Sequence, residues 1–197
     1  VRYGNVMGSR GSVIPFFIQE KNNGVLPITD NRMTRFMITL EEGVELVWKA
    51  FDDMLGGEIY VKKIPSMKVT DLASAIDKDA VQKVIGIRPG EKLHEEMIGE
   101  DDSLYTYEYD NYYKILPAIN NWFHSKELIK NGKPVEKGFS YTSNNNTEWM
   151  SIETLQEWIK NNKNKIGKFY SYSLQLLKIL QSGSILDRKD VEVLRPC

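Results

Sequence analysis

Residues 84–96 read Val-Ile-Gly-Ile-Arg-Pro-Gly-Glu-Lys-Leu-His-Glu-Glu, an apolar run that breaks into a rigid turn. Lys83–Ile87 has the composition of a strand. Pro89 fixes its own φ and biases Arg88 towards extended backbone, while Gly90 permits a tight turn. Glu91 and Lys92 then open a segment that can turn helical through His94 and Met97, which predicts a short helix over residues 91–98. A guanidinium on a rigid turn offers forked, charge-assisted donors suited to a phosphate, and a carboxylate three residues on suits a pair of sugar hydroxyls. The same four residues also make an ordinary surface turn with an i,i+3 ion pair, so the stretch leaves both readings open.

Outward from this turn, residues 1–7 read as a buried strand and Gly8–Ser12 as a loop. Val13–Asn22 reads as a helix stopping at Asn23-Gly24. Leu26–Ile28 and Thr34–Thr39 look extended. Leu40, Val44, Val47, Trp48, Phe51 and Leu55 recur at helical spacing, and Gly56-Gly57 ends that helix. Glu58–Val61 alternates as a strand, and a helix beginning near Thr70 as N-cap carries Leu72, Ala75 and Ile76 on one face. The tyrosine-rich residues 105–114 are predicted extended and packed rather than base-stacking, because Glu108 and Asp110 stand where basic residues would be needed. Residues 117–137 read as a mobile polar loop, and Ser151 as the cap of a helix over Ile152–Asn161. Leu174–Leu180 and Asp187–Leu194 are helix candidates in a C-terminal stretch without motifs.

The 197-residue chain is long enough for a proper core, with 41% hydrophobic and 27% charged residues and a net charge of −1. That balance gives no electrostatic case for nucleic acid or an anionic membrane. No apolar run reaches the roughly 18–20 residues needed to span a bilayer. Cys197 is the only cysteine, which precludes an intrachain disulfide and fits a reducing compartment. The chain starts on Val1-Arg2-Tyr3 without an initiator Met or a signal-peptide pattern, so a cut N-terminus is expected.

Candidate ligand residues lie at predicted strand ends and turns. Asn5, ahead of Gly8 and Gly11, places an amide beside bare backbone, either to stabilise its own turn or to meet a ligand. Ser9-Arg10-Gly11-Ser12-Val13 is either a phosphate nest or a solvated loop. Arg35 projects to the face opposite Thr34 and Phe36 and needs an anion, whether Glu41, Glu42 or a ligand phosphate. His94 and His124 have no metal-ligand companion at i+3 or i+4 and read as structural, so no metal site is expected.

Three ordered blocks, Val1–Phe17, Leu26–Asp30 and Arg32–Ile38, together with Arg88-Pro89-Gly90-Glu91, resemble the C-terminal half of the inverting UDP-N-acetylglucosamine 4,6-dehydratases. These are extended short-chain dehydrogenase/reductases of the polysaccharide-biosynthesis group. The resemblance covers roughly residues 1–160 and leaves 161–197 as a tail of unassigned role. It implies an α/β fold: the C-terminal part of a Rossmann-like doubly wound sheet plus a small mixed α/β substrate-binding domain. It further implies a substrate site of Asn5, Val13, Thr29, Arg35, Arg88 and Glu91. Arg35 and Arg88 would take the two phosphates and Glu91 the ribose hydroxyls. Asn5, and with it Tyr3 and Arg2, would lie near the nicotinamide of NADP. The implied enzyme is a cytoplasmic homo-oligomer that oxidises C4 of the hexose, eliminates water across C5–C6 and leaves a 4-keto-6-deoxy sugar with C5 inverted. The chain has neither a Gly-x-Gly-x-x-Gly fingerprint nor a Tyr-x-x-x-Lys pair. It is therefore expected to be the substrate-binding half, with no catalytic residue of its own and NADP held mainly elsewhere. A UDP-sugar epimerase on the same scaffold and a non-catalytic nucleotide-sugar-binding fragment are the alternatives.

Overall fold

A computed structural model describes residues 1–118 and 126–167. His124 and the helix candidates beyond residue 168 lie outside these. The elements run β1 (Asn5–Val6), α1 (Val13–Glu20), β2 (Val25–Ile28), β3 (Thr34–Ile38), α2 (Leu40–Asp53), β4 (Ile59–Lys62), β5 (Ser66–Lys68) and α3 (Val69–Ile76). They continue with β6 (Val81–Val84), β7 (Glu96–Ile98), β8 (Thr106–Glu108), β9 (Tyr112–Ile115), α4 (Lys126–Ile129), β10 (Lys133–Pro134), β11 (Tyr141–Thr142) and α5 (Ile152–Asn162).

The strands form a mixed set. β2 pairs parallel with β6, and β3 pairs parallel with β1 on one side and antiparallel with β5 on the other. β10-β8-β9-β4 is an antiparallel sheet, and β11 pairs with β7. One apolar core lies among α1, α3, α5 and β2, around Ile14, Phe17, Leu26, Ile28, Leu72 and Leu155. A second joins β3, β4, β7, β9 and β11 through Phe36, Val61, Ile98, Ile115 and Tyr141. Tyr109 and Tyr112 are buried and stacked at 4.5 Å, as the packed reading of the tyrosine run required.

α2 forms where the periodicity placed it. Its start is fixed by a capping box in which Thr39 Oγ1 accepts from Glu42 N (3.1 Å) and Glu42 accepts from Thr39 N (2.9 Å). Several expectations need correction. Residues 91–98 are not a helix: Glu96–Ile98 is strand β7, because pairing with Tyr141–Thr142 buries Met97 and Ile98. α3 begins at Val69 with Lys68 in the cap position rather than Thr70. β6 starts earlier and ends at Val84, although Ile85 N still donates to Ile28 O (2.8 Å). Of residues 1–7 only Asn5–Val6 form a strand, with an isolated bridge from Arg2 to Val61, while Val1 and Tyr3 are exposed. The stretch expected to be a loop carries α4 and β10.

Exposed apolar residues gather on β2, β6 and the residues following β6: Val25, Val81, Val84, Ile85 and Ile87. That is a bare sheet surface of the kind edge protection normally hides.

Candidate functional site

A cleft of about 450 Å³ opens beside β1, α1, β2 and the turn after β6. Asn5, Val13, Thr29, Arg35, Arg88 and Glu91 all line it, together with Gln19, Phe16, Pro27 and Met33 among others. Residues up to 86 positions apart in sequence thus share one wall. Tyr3 is not among the lining residues. Arg2 is occupied elsewhere, donating to Asp102 Oδ2 (2.9 Å) and Met97 O (3.0 Å).

Each side chain is placed by a local cause. Gly4 lets β1 approach β3 closely, since a Cβ there would stand 2.4 Å from Phe36 Cβ. The approach sets Asn5 opposite Met37 in the parallel pair. Ser12 gives its hydroxyl to Ser9 O (2.7 Å) instead of capping α1, so the helix start beside Val13 stays open to an acceptor. In the turn, Gly90 has φ +81° and Glu91 N donates to Arg88 O (3.0 Å). Glu91 Oε2 in turn accepts from Arg88 N (3.3 Å), which folds the carboxylate back over the turn.

Arg35 donates from Nη1 to Thr34 O (2.8 Å) and Leu93 O (3.2 Å). Its anionic neighbours are Glu91 at 3.7 Å and Glu95 at 3.9 Å, not Glu41 or Glu42. Glu42 is committed to the α2 cap, and the carboxylates that reach the Arg35 side of β3 come from the segment after β6. Both separations exceed hydrogen-bond length, so these are loose pairs. The Arg88 guanidinium is exposed and has no ion-pair partner among the described residues. Two guanidinium groups, one loosely paired and one unpaired, therefore share a wall with one carboxylate. Such a wall can take a dianionic group while Glu91 accepts from hydroxyls.

Behind the wall runs a polar network that no sequence pattern announced. Asn5 Nδ2 donates to Glu95 Oε1 (2.9 Å), Phe36 N to Glu95 Oε2 (3.0 Å) and Glu95 N to Ser143 Oγ (2.9 Å). Ser143 Oγ contacts Thr34 Oγ1 (2.7 Å), which also meets His94 Nδ1 (2.8 Å), so His94 has a structural partner. Among the described residues no cluster of His, Cys, Asp and Glu could hold a metal ion, and no helix is long and apolar enough to cross a membrane.

Residues 1–117 match the family model described as "Polysaccharide biosynthesis protein". The chain belongs to that family, and its fold is Rossmann-like α/β. It is 54% identical over 165 residues, 80% of this chain and 49% of the relative, to a protein of Campylobacter jejuni serotype O:2 named UDP-N-acetylglucosamine 4,6-dehydratase (inverting). A protein of Rickettsia bellii named UDP-glucose 4-epimerase is 36% identical over 81% of this chain and 48% of its own length. Among solved structures, Pen from Bacillus thuringiensis superposes with a TM-score of 0.69 at 32% identity, covering 82% of this chain and 49% of that one. The chain spans about half the length of the curated relatives it matches.

Proposed function

We propose that this chain is the substrate-binding half of an inverting UDP-N-acetylglucosamine 4,6-dehydratase, with residues 1–160 forming that part. The observation that carries this is the convergence of Asn5, Val13, Thr29, Arg35, Arg88 and Glu91 on one cleft. Similarity to the Campylobacter jejuni dehydratases at 52–54% identity supports it. Arg35 and Arg88 bind the diphosphate, Glu91 accepts from the ribose hydroxyls, Val13 and Thr29 line the nucleoside, and Asn5 meets the sugar. Contacts this far from the reacting carbons act by orientation: binding energy at the nucleotide end holds the hexose in reactive alignment.

NADP is the proposed cofactor of the whole enzyme. This chain has no glycine-rich phosphate fingerprint to hold the dinucleotide's phosphates, so its proposed share of the cofactor is limited to Tyr3 and Asn5 at the nicotinamide end. The redox chemistry is assigned to residues outside this chain, in a cytoplasmic homo-oligomer. The second reading, a UDP-sugar 4-epimerase, is favoured by the 36% identity to the Rickettsia bellii protein. Incubating the full-length enzyme with UDP-N-acetylglucosamine and weighing the product separates them. Loss of one water is expected. An isomer of unchanged mass would establish the epimerase, and no turnover would leave a binding module.

A further inference from the structure

Glu95 touches two cleft residues without lining the cleft itself. Its backbone is held from both sides by Ser143, which accepts from Glu95 N at 2.9 Å and donates its own N–H to Glu95 O at 2.8 Å. Ser143 is fully buried and further anchored to Thr34. The carboxylate is thus presented from a fixed platform, with one oxygen on Asn5 Nδ2 and the other on Phe36 N.

An ionised carboxylate only accepts hydrogen bonds, so it decides which end of the Asn5 amide faces it. One N–H of the Asn5 amide is given to Glu95, so the carbonyl oxygen, with no carboxylate partner to meet, is held away from Glu95 and free to accept on the side of the residue that lines the cleft, next to the second N–H. We propose that Glu95 is a positioning residue that fixes the polarity of Asn5, so that Asn5 meets the ligand as an acceptor for a sugar hydroxyl or amide N–H. The identity of that ligand rests on the nucleotide-sugar reading above; the Glu95–Asn5 relation does not.

Glu95→Gln tests this without changing shape. Phe36 N–H still requires an oxygen, so the introduced amide must turn its NH₂ towards Asn5. Asn5 then has to rotate its own oxygen inward and offer NH₂ to the cleft. In the double variant Asn5→Asp with Glu95→Gln, the introduced carboxylate accepts from the introduced amide and keeps its second oxygen for the ligand.

The first readout is the NMR signal pair of the Asn5 side-chain amide in the ligand-free 197-residue chain. Glu95→Gln should shift both protons while the Thr39 and Phe36 backbone signals stay folded-like. Unmoved Asn5 side-chain signals overturn the proposal. The second readout is calorimetry with UDP and with UDP-N-acetylglucosamine. Glu95→Gln should keep UDP affinity within about twofold and lose about tenfold in affinity for the sugar nucleotide, the scale of one hydrogen bond, and the double variant should recover it. Equal losses for both ligands, or no recovery, reduce Glu95 to a structural residue and overturn the proposal. If the unmodified chain binds neither ligand, the nucleotide-sugar reading of this chain fails, and the NMR arm still decides the polarity of Asn5.

Discussion

Arg35 and Lys114 are both cations drawn into the protein, yet their surroundings differ in kind. Lys114 is fully buried; its Nζ lies 2.5 Å from Asp53 Oδ2, donates to Leu128 O at 3.0 Å and sits over the rings of Tyr60 and Tyr109 at 5.2 and 5.3 Å. Asp53 also accepts from Tyr60 Oη (2.8 Å) and from Lys130. Every group there is satisfied, and the cluster ties α4 to α2 and the antiparallel sheet. Arg35 instead donates from Nη1 to Thr34 O and Leu93 O, faces Glu91 and Glu95 only at 3.7 and 3.9 Å, and shares its wall with Arg88, which has no ion-pair partner among the described residues. A saturated cluster holds a fold together, whereas an unsaturated one has capacity left for a ligand.

The largest way to break this comparison is Lys114→Met. Removing Lys114 leaves the buried Asp53 with Lys130 and Tyr60 only and strips Leu128 O of its donor, so a loss at the lower end of about 3–5 kcal/mol is expected in urea unfolding. A loss under about 1 kcal/mol would make the cluster no more structural than a surface pair. The same variant should change the acid limb. Burial pushes the Asp53 carboxyl up, but hydrogen bonds from Lys114, Lys130 and Tyr60 outweigh it and hold the group well below the usual carboxylate range. Its folded value is lowered, so its stabilisation is present above the unfolded value near ~4 and is lost as pH falls towards the folded one. With Lys114 gone that slope should flatten, which unfolding midpoints across the acid range would show.

Gly4→Ala should come next, at about 1–3 kcal/mol, because its Cβ would press on Phe36 and force β1 away from β3. It reaches the cleft as well as the core, since moving β1 also moves Asn5 away from Glu95; both the unfolding midpoint and ligand affinity should fall. Thr39→Ala removes half of the capping box and should cost about 1 kcal/mol with no effect on ligand affinity. On the alkaline side, burial pushes the Tyr112 hydroxyl up to about 12, with the Asp53 charge adding to it. Stability from keeping it neutral is complete below the usual phenol range near ~10 and is lost as pH rises through the folded value. Ultraviolet titration of the tyrosines, followed alongside unfolding, checks this. Smallest is Arg88→Ala, within about 0.5 kcal/mol in stability because the guanidinium is exposed and has no ion-pair partner among the described residues.

What the sequence revealed follows the range of the forces involved. α2 was legible because its period and its Gly56-Gly57 stop act within a few residues; its Thr39–Glu42 capping box, equally local, was not read. The Arg-Pro-Gly-Glu turn was legible because Pro89 and Gly90 act on their own backbone. The strand at Glu96–Ile98 was not, because His94 and Met97 fit a helical spacing and the pairing with Tyr141–Thr142 that overrides it comes from over forty residues away. Glu95 went unseen for the same reason: nothing about one carboxylate in Glu95-Glu96 signals a bond to Asn5 ninety positions earlier. Lys114 with Asp53 is likewise a product of burial, visible only once β4, β9 and α2 have packed.

The most direct test is calorimetry of UDP binding to the 197-residue chain, to Arg35→Ala with Arg88→Ala, and to Thr39→Ala. An open cationic wall predicts measurable UDP binding by the unmodified chain, its loss in the double variant and its retention in Thr39→Ala. Absence of binding by the unmodified chain, or equal affinity in the double variant, would contradict the claim that the cleft's unsatisfied charges are there for a nucleotide.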